Sequence, residues 1–422
     1  MHSTRRRFGR SVLGALAMAV AAFAVVPAVQ AAQPIKIGFS LELTGPLAGG
    51  GKPSLLAIQM WAQDTNDAGG LLGRPVQLVY YDDQSNPANV PAIYTKLLDV
   101  DKVDFVMSSY GTNLIAPAMP IVMAHNKVYF GLFGTAVNAK FHYNKYFSIL
   151  PNGPDPALGP DYGFFQVAEE MKPKPETVAL VAADAEYAQN VIGGARRVVK
   201  ELGLKTVYDQ SYPPSITDCT PIMHAVQATN PDIVYVASYP PDTICMVRAA
   251  NEIGLKTKIF GGGMIGLAFA PIKTQLGPLL NGIIAYDVYV PAPTMDFPGV
   301  QAFLKIYQAK AKVEHVDPLG YYLPPYAYAQ MQILGDAIKA TGSLDQDKIG
   351  AYIHKTTFHT IVGDIAFNDA GEWRKARILF VQYKGVQGHD LAQFTHVGTQ
   401  TILYPPEFKD GTFEYPYSGI KK

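Results

Sequence analysis

Several shortages in this sequence each close off a class of function. Two cysteines in 422 residues exclude a disulfide scaffold and any Cys-rich zinc module. Lys+Arg and Asp+Glu both number 35, so no basic field draws in nucleic acid. Charged residues are 17% of the chain against 48% hydrophobic ones, too apolar a balance for a disordered chain. The nine histidines form no H-E-x-x-H, and His354 and His359, five apart, do not share a helix face. No serine sits in G-x-S-x-G and no cysteines in C-x-x-C. These gaps predict no metal, no cofactor and no enzymatic activity.

What is present starts with a basic stretch, "MHSTRRRFGR", then the apolar "SVLGALAMAVAAFAVV" and the small-residue "PAVQAA". That order predicts a signal peptide over residues 1–31, cut near Ala31, and hence an exported protein. "TRRRF" is also close to the twin-arginine export motif, and the general and twin-arginine routes both stay open. Removing residues 1–31 takes away four arginines and no acids, leaving a formal charge of −4. No later run is apolar enough for a membrane span.

After residue 31, short β-rich runs alternate with helical patterns. Strands are predicted at 35–41, 75–82, 103–108, 177–183, 232–238 and 282–290, and helices at 53–68, 87–99, 185–203 and 241–254. This alternation predicts an α/β fold with parallel sheets and right-handed crossovers, and the number of units asks for two lobes. "SILPNGPDPALGP" (148–160) and "VYVPAPTMDFPG" (288–299) read as connections between them, and only helices are predicted next, at 299–313, 324–341 and 345–355. A chain that leaves one lobe, builds another and returns is suited to clamping a small ligand. Cys219 and Cys245 fall near the starts of successive predicted helices, which leaves a disulfide and two buried thiols both open.

Two stretches suggest chemistry and are assigned to structure. Asp82 and Asp83 end a strand just before an N-cap at Ser85 or Asn86 and Pro87, so both are read as turn residues. "GPLAGGGKPS" (45–54) has proline at 46 and 53, where a phosphate-binding loop needs glycine and Ser or Thr. Four polar or glycine-rich segments follow strands: "SSYGTN" (108–113), "GLFGTA" (131–136), "DAEYAQN" (184–190) and "SYPPD" (238–242). Their hydroxyls suit a carboxylate, with Tyr187 and Tyr239 supplying apolar walls with polar tips.

Taken together, "IKIGFSLELTGPLAGGG", "NDAGGLLGRPVQLVYYDDQSNP", "MVRAANEIGL" and "VGDIAFNDAGEW" resemble the substrate-binding proteins of ABC importers, of the leucine/isoleucine/valine-binding type. The resemblance implies a type I periplasmic binding fold: two Rossmann-like lobes joined by a three-crossing hinge. Lobe 1 would be 32–150 plus 291–360, and lobe 2 would be 151–290 plus 361–422. It implies a monomeric receptor that delivers a small-molecule ligand to ABC permease subunits in the membrane. The ligand-binding positions carried over are Ser109, Tyr110, Gly111, Thr112, Phe133, Gly134, Thr135, Tyr187, Tyr239, Gly263 and Tyr322. Two departures stand out. The acid that holds a ligand's ammonium in amino-acid binders is Gly263 here, and a first-loop tyrosine is replaced at Gly50, which would enlarge the pocket. Asp184, Glu186 or Asp287 could supply the missing charge. The expected ligand is a small carboxylate or amide, amino-acid-like or an aromatic acid. A receptor for a sensor system and an exported α/β enzyme are the alternatives.

Overall fold

The computed structural model describes residues 33–422, so the signal-peptide reading lies outside the described residues. Among the described residues, fourteen strands run in chain order. The first five are β1 (Ile35–Leu41), β2 (Val76–Asp82), β3 (Phe105–Tyr110), β4 (Tyr129–Leu132) and β5 (Tyr146–Ser148). Next come β6 (Thr177–Ala183), β7 (Lys205–Tyr212), β8 (Ile233–Ala237), β9 (Ile259–Gly262) and β10 (Ile284–Asp287). The last four are β11 (Thr357–Thr360), β12 (Gly363–Ala366), β13 (Leu379–Tyr383) and β14 (Gln400–Tyr404).

β1 to β5 form one parallel sheet, in the order β2-β1-β3-β4-β5. A second sheet has the order β14-β13-β10-β9-β8-β6-β7, and its last two strands in the chain, β13 and β14, pair antiparallel. β11 and β12 make a separate antiparallel hairpin. Parallel strands need crossovers, and the sequence supplies a helix for most of them. The helices Val300–Glu314 and Pro324–Thr341 return to pack on the helix Ala48–Asp67, covering the first sheet late in the chain.

The strands foreseen from apolar runs are all present, and those at 35–41 and 177–183 match to the residue. Strands with weaker signals were not foreseen. β7 is a sheet edge exposed or half-exposed along all but its last residue, and β9 ends in glycines. β13 and β14 follow the segment expected to be helical only. The first helix starts at Ala48, five residues earlier than expected, and carries Pro53 in its second turn. The segment 87–99 is a 3₁₀ turn, Pro87–Asn89, then a short α-helix and a π turn. Cys219 and Cys245 are bonded, with Cα atoms 5.7 Å apart, joining the helices Thr220–Ala228 and Pro240–Glu252.

Candidate functional site: a tyrosine-lined cleft between two sheets

The ends of parallel strands carry the site, as open α/β sheets dictate. After β3 the chain turns through Gly111 at φ +90°, a conformation that favours glycine, into Thr112 and Asn113. After β4 it passes Phe133, itself at φ +60°, to Gly134 and Thr135. The Thr135 N–H donates to Thr112 Oγ1 at 3.0 Å, which pins these two loops together. On the second sheet, Tyr187 sits in the first turn of the helix Glu186–Glu201, Tyr239 precedes the helix Pro240–Glu252, and Gly263 follows β9.

The two sides touch through polar groups. The Tyr187 N–H donates to Asn113 Oδ1 at 3.0 Å, and Asn190 Nδ2 donates to the Thr135 carbonyl at 2.9 Å. Tyr187 Oη donates to the Gly263 carbonyl at 3.1 Å and its ring lies 5.4 Å from that of Tyr239. Rings fill the rest. Tyr322 packs within 5.0–6.3 Å of Phe269, Phe133, Tyr110 and Tyr286, and its hydroxyl is 3.5 Å from that of Tyr110. Burial pushes the Tyr110, Tyr187, Tyr239 and Tyr322 hydroxyls above their ordinary pKa, so they stay neutral donors. Two buried hydroxyls, Thr135 Oγ1 and Tyr239 Oη, have no protein partner among the described residues. A buried hydroxyl without a bond is costly, and these two come from opposite sides of the cleft.

The structure thus packs Tyr110, Gly111, Thr112, Phe133, Gly134, Thr135, Tyr187, Tyr239, Gly263 and Tyr322 into one buried cluster where the two sheets meet. Gly134 acts there as a packing position, since a Cβ on it would come within 2.8 Å of Tyr146 Oη. Ser109 departs from expectation: its hydroxyl is engaged by Glu42 Oε2 at 2.6 Å and Asp83 Oδ2 at 2.7 Å. Phe269, Tyr286 and Glu42 were not foreseen, because a lone residue in an apolar run carries no motif.

The adjacent acids Asp82 and Asp83 part company. Asp82 is the turn residue expected. Burial, the largest single influence, pushes its carboxyl up, but bonds from Thr44 Oγ1 and the N–H groups of Gln84, Thr44 and Leu43 together outweigh it and hold the carboxyl below the usual range. Asp83 also holds the turn, accepting the Ser85 N–H on its carboxyl and the Asn86 N–H on its carbonyl, but it is in addition fully buried, and burial raises its pKa despite bonds from Ser109, Ser40 and the Ser85 N–H. The period of 2 along a strand puts these neighbours on opposite faces.

None of the three acids offered as replacements at Gly263 serves as a free counter-charge. Asp184 and Glu186 are exposed, and Asp287 is buried against the Lys273 ammonium at 3.3 Å. Tyr235 Oη, 3.4 Å from a Cβ placed on Gly263, donates to the buried Asp161, whose pKa burial raises and whose Oδ2 has no partner among the described residues. Gly50 also departs from expectation. A Cβ there would meet Leu323 Cδ1 at 2.8 Å and Tyr110 Cδ1 at 2.9 Å, so neighbouring side chains already occupy the space. Open room lies one residue away: Gly49 has nothing within 4 Å of its Cβ direction and borders a cavity of about 400 Å³ with Lys52, Phe269 and Ile272. Among the described residues no cluster of His, Cys, Asp and Glu could hold a metal.

Comparison with known proteins agrees with this architecture. Residues 34–387 match the family model described as periplasmic binding protein. The chain is similar to the leucine-, isoleucine-, valine-, threonine- and alanine-binding protein of Pseudomonas aeruginosa, at 26% identity over 84% of this chain and 91% of that one. It has the fold of an ABC-transporter solute-binding protein from R. palustris in complex with benzoate, with TM-score 0.72, 18% identity, and 88% and 95% of the two chains covered. A branched-chain amino acid transporter substrate-binding protein from Streptococcus pneumoniae, in complex with isoleucine, has TM-score 0.71, 19% identity, and coverage of 88% and 100%. With a family match over 34–387 and a tyrosine-lined cleft between two parallel-dominated sheets, this chain belongs to the periplasmic binding protein family.

Proposed function

We propose that this protein is the periplasmic solute receptor of an ABC importer and that its ligand is a small acid without an α-ammonium, an aromatic carboxylate first among them. It has no catalytic role in this reading. The lobes are 32–150 with 291–360 and 151–290 with 361–422; they close on the ligand, and the closed form is handed to membrane permease subunits. The observation that carries the ligand class is Gly263. A buried ammonium needs a paired anion, yet the position facing Tyr187 and Tyr235 has no side chain, and the nearby acids are exposed, ion-paired or, at Asp161, pushed by burial toward the protonated form. A ring stacked among Tyr110, Phe133, Phe269 and Tyr322 gains apolar burial and edge-to-face contact. The unpaired hydroxyls of Thr135 and Tyr239 are left to meet a carboxylate.

The test is a thermal-shift screen of refolded protein against benzoate, hydroxybenzoates, aliphatic acids, short amides and branched-chain amino acids. A ligand at 100 times its Kd stabilises the fold by about 2.7 kcal/mol, a visible rise in Tm. Ammonium-free acids are expected to shift it most. A larger shift with free amino acids overturns this ligand class.

A further inference from the structure

Glu42 follows β1, Asp83 follows β2 and Ser109 lies near the end of β3, and these strands are neighbours in the order β2-β1-β3. Their carboxyl ends therefore converge beneath the loop Ser109–Asn113. All three side chains are fully buried, and Ser109 Oγ stands 2.6 Å from Glu42 Oε2 and 2.7 Å from Asp83 Oδ2. A serine hydroxyl has one hydrogen and can donate it to only one carboxyl. At hydrogen-bond distance from the second, its oxygen must accept, so one of the acids carries a proton.

The neighbours decide which. Asp83 receives Ser40 Oγ at 2.9 Å and the Ser85 N–H at 3.0 Å, donors suited to a charged carboxylate. Glu42 receives only the Tyr110 N–H at 3.3 Å beyond the Ser109 contact, and its Oε1 has no partner among the described residues. Burial, then the charge of Asp83, pushes Glu42 up to about 8. The titratable groups around the pair are Asp82 in the adjoining turn, Tyr110 on β3, Tyr94 from the helix Val90–Thr95, and Tyr129 on β4. No Lys, Arg or His of the described residues forms an ion pair with either acid.

We propose that Glu42 is a specificity determinant of the cleft: sharing one proton with Asp83 through Ser109, it keeps the floor of the site singly charged and makes the binding of an anionic ligand depend on that proton. This rests on the reading of the ligand as an ammonium-free acid. Losing the proton places a second negative charge one residue beneath the ligand loop, where a carboxylate is then repelled. Glu42 acts on the ligand by charge through Ser109 and Tyr110, and no contact with the ligand is required.

The experiment is calorimetric titration of the purified protein with benzoate, from about pH 6 to about pH 9.5, in two buffers of different ionisation enthalpy. Affinity is expected to hold level up to about pH 8, where Glu42 titrates. Above that it falls toward tenfold per pH unit, at about one proton taken up per ligand bound. Glu42→Gln is expected to flatten the profile and abolish the linked proton uptake, while Asp82→Asn keeps the wild-type profile. A flat wild-type profile with no proton uptake overturns the inference and leaves the ligand class standing; so does a slope that persists in Glu42→Gln. Should Glu42→Gln not fold, the two-buffer measurement on the wild type decides alone. Absence of binding by any carboxylate at pH 7 overturns the ligand class, and the inference with it.

Discussion

In the second sheet Asp287 lies 3.3 Å from the Lys273 ammonium with both side chains 1% exposed, whereas in the first sheet Glu42 and Asp83 are equally buried and meet only hydroxyls and N–H groups. Both regions bury carboxyls at the ends of strands, and both must offset the cost of removing charge from water. A lysine offsets it with a paired opposite charge, and Gln400 completes that cluster by bonding Asp287 at 3.1 Å. A proton offsets it only until the proton leaves. The second region is therefore a fixed structural element, and the first responds to pH directly beneath the ligand loop.

The most forceful way to break this contrast is to remove the cation. Lys273→Met leaves Asp287 buried and uncompensated, with an expected loss of about 3–5 kcal/mol in urea unfolding at pH 7. Glu42→Gln at the same pH exchanges a neutral acid for a neutral amide and is expected to change stability by less than about 1 kcal/mol. Equal losses from the two substitutions would abolish the distinction between a cation and a proton.

A smaller effect tests whether rigidity belongs to the second region. The Cys219–Cys245 bond closes a separation of 26 residues, so replacing both by serine is expected to cost about 3 kcal/mol. Hydrogen exchange should speed up in β6 and β8 more than in β1 and β3; a uniform loss would show that the bond secures the whole molecule.

The smallest effect is at Asp82. Its folded pKa is depressed, so its contribution is present above the ordinary value of 3.8 and is lost as pH falls through the folded value. Asp82→Asn is expected to cost about 1 kcal/mol or less at neutral pH, given its partial exposure. The gap from wild type should close in acid, and Asp82→Asn should not alter ligand affinity.

Much of the fold was legible because its signals are local. Apolar runs such as "IKIGFSL" and "TVALVAA" are strands at the residues expected. Edge and late strands such as β7 and β14 were missed, since sheet partners far along the chain stabilise them rather than their own composition. The polar loops after strands were legible as a cleft through their position in the α/β alternation. Phe269 and Tyr286 were not, because an aromatic residue lining a cleft has the same sequence context as one filling a core.

The sequence by itself determined that the chain alternates strand and helix, that it holds no G-x-x-x-x-G-K-[ST] or G-x-S-x-G motif, and that Gly263 has no side chain to offer as a counter-charge. Only the tertiary structure decided that of the two adjacent turn acids Asp82 stays at the surface while Asp83 is buried against Ser40 and Ser109. It also decided that Cys219 meets Cys245, and that Gly50 is filled by Tyr110 and Leu323. The physical reason is that hydrogen-bond chemistry and backbone period are set within a few residues, whereas the charge state of a buried acid depends on groups that adjacent strands bring together across the sheet.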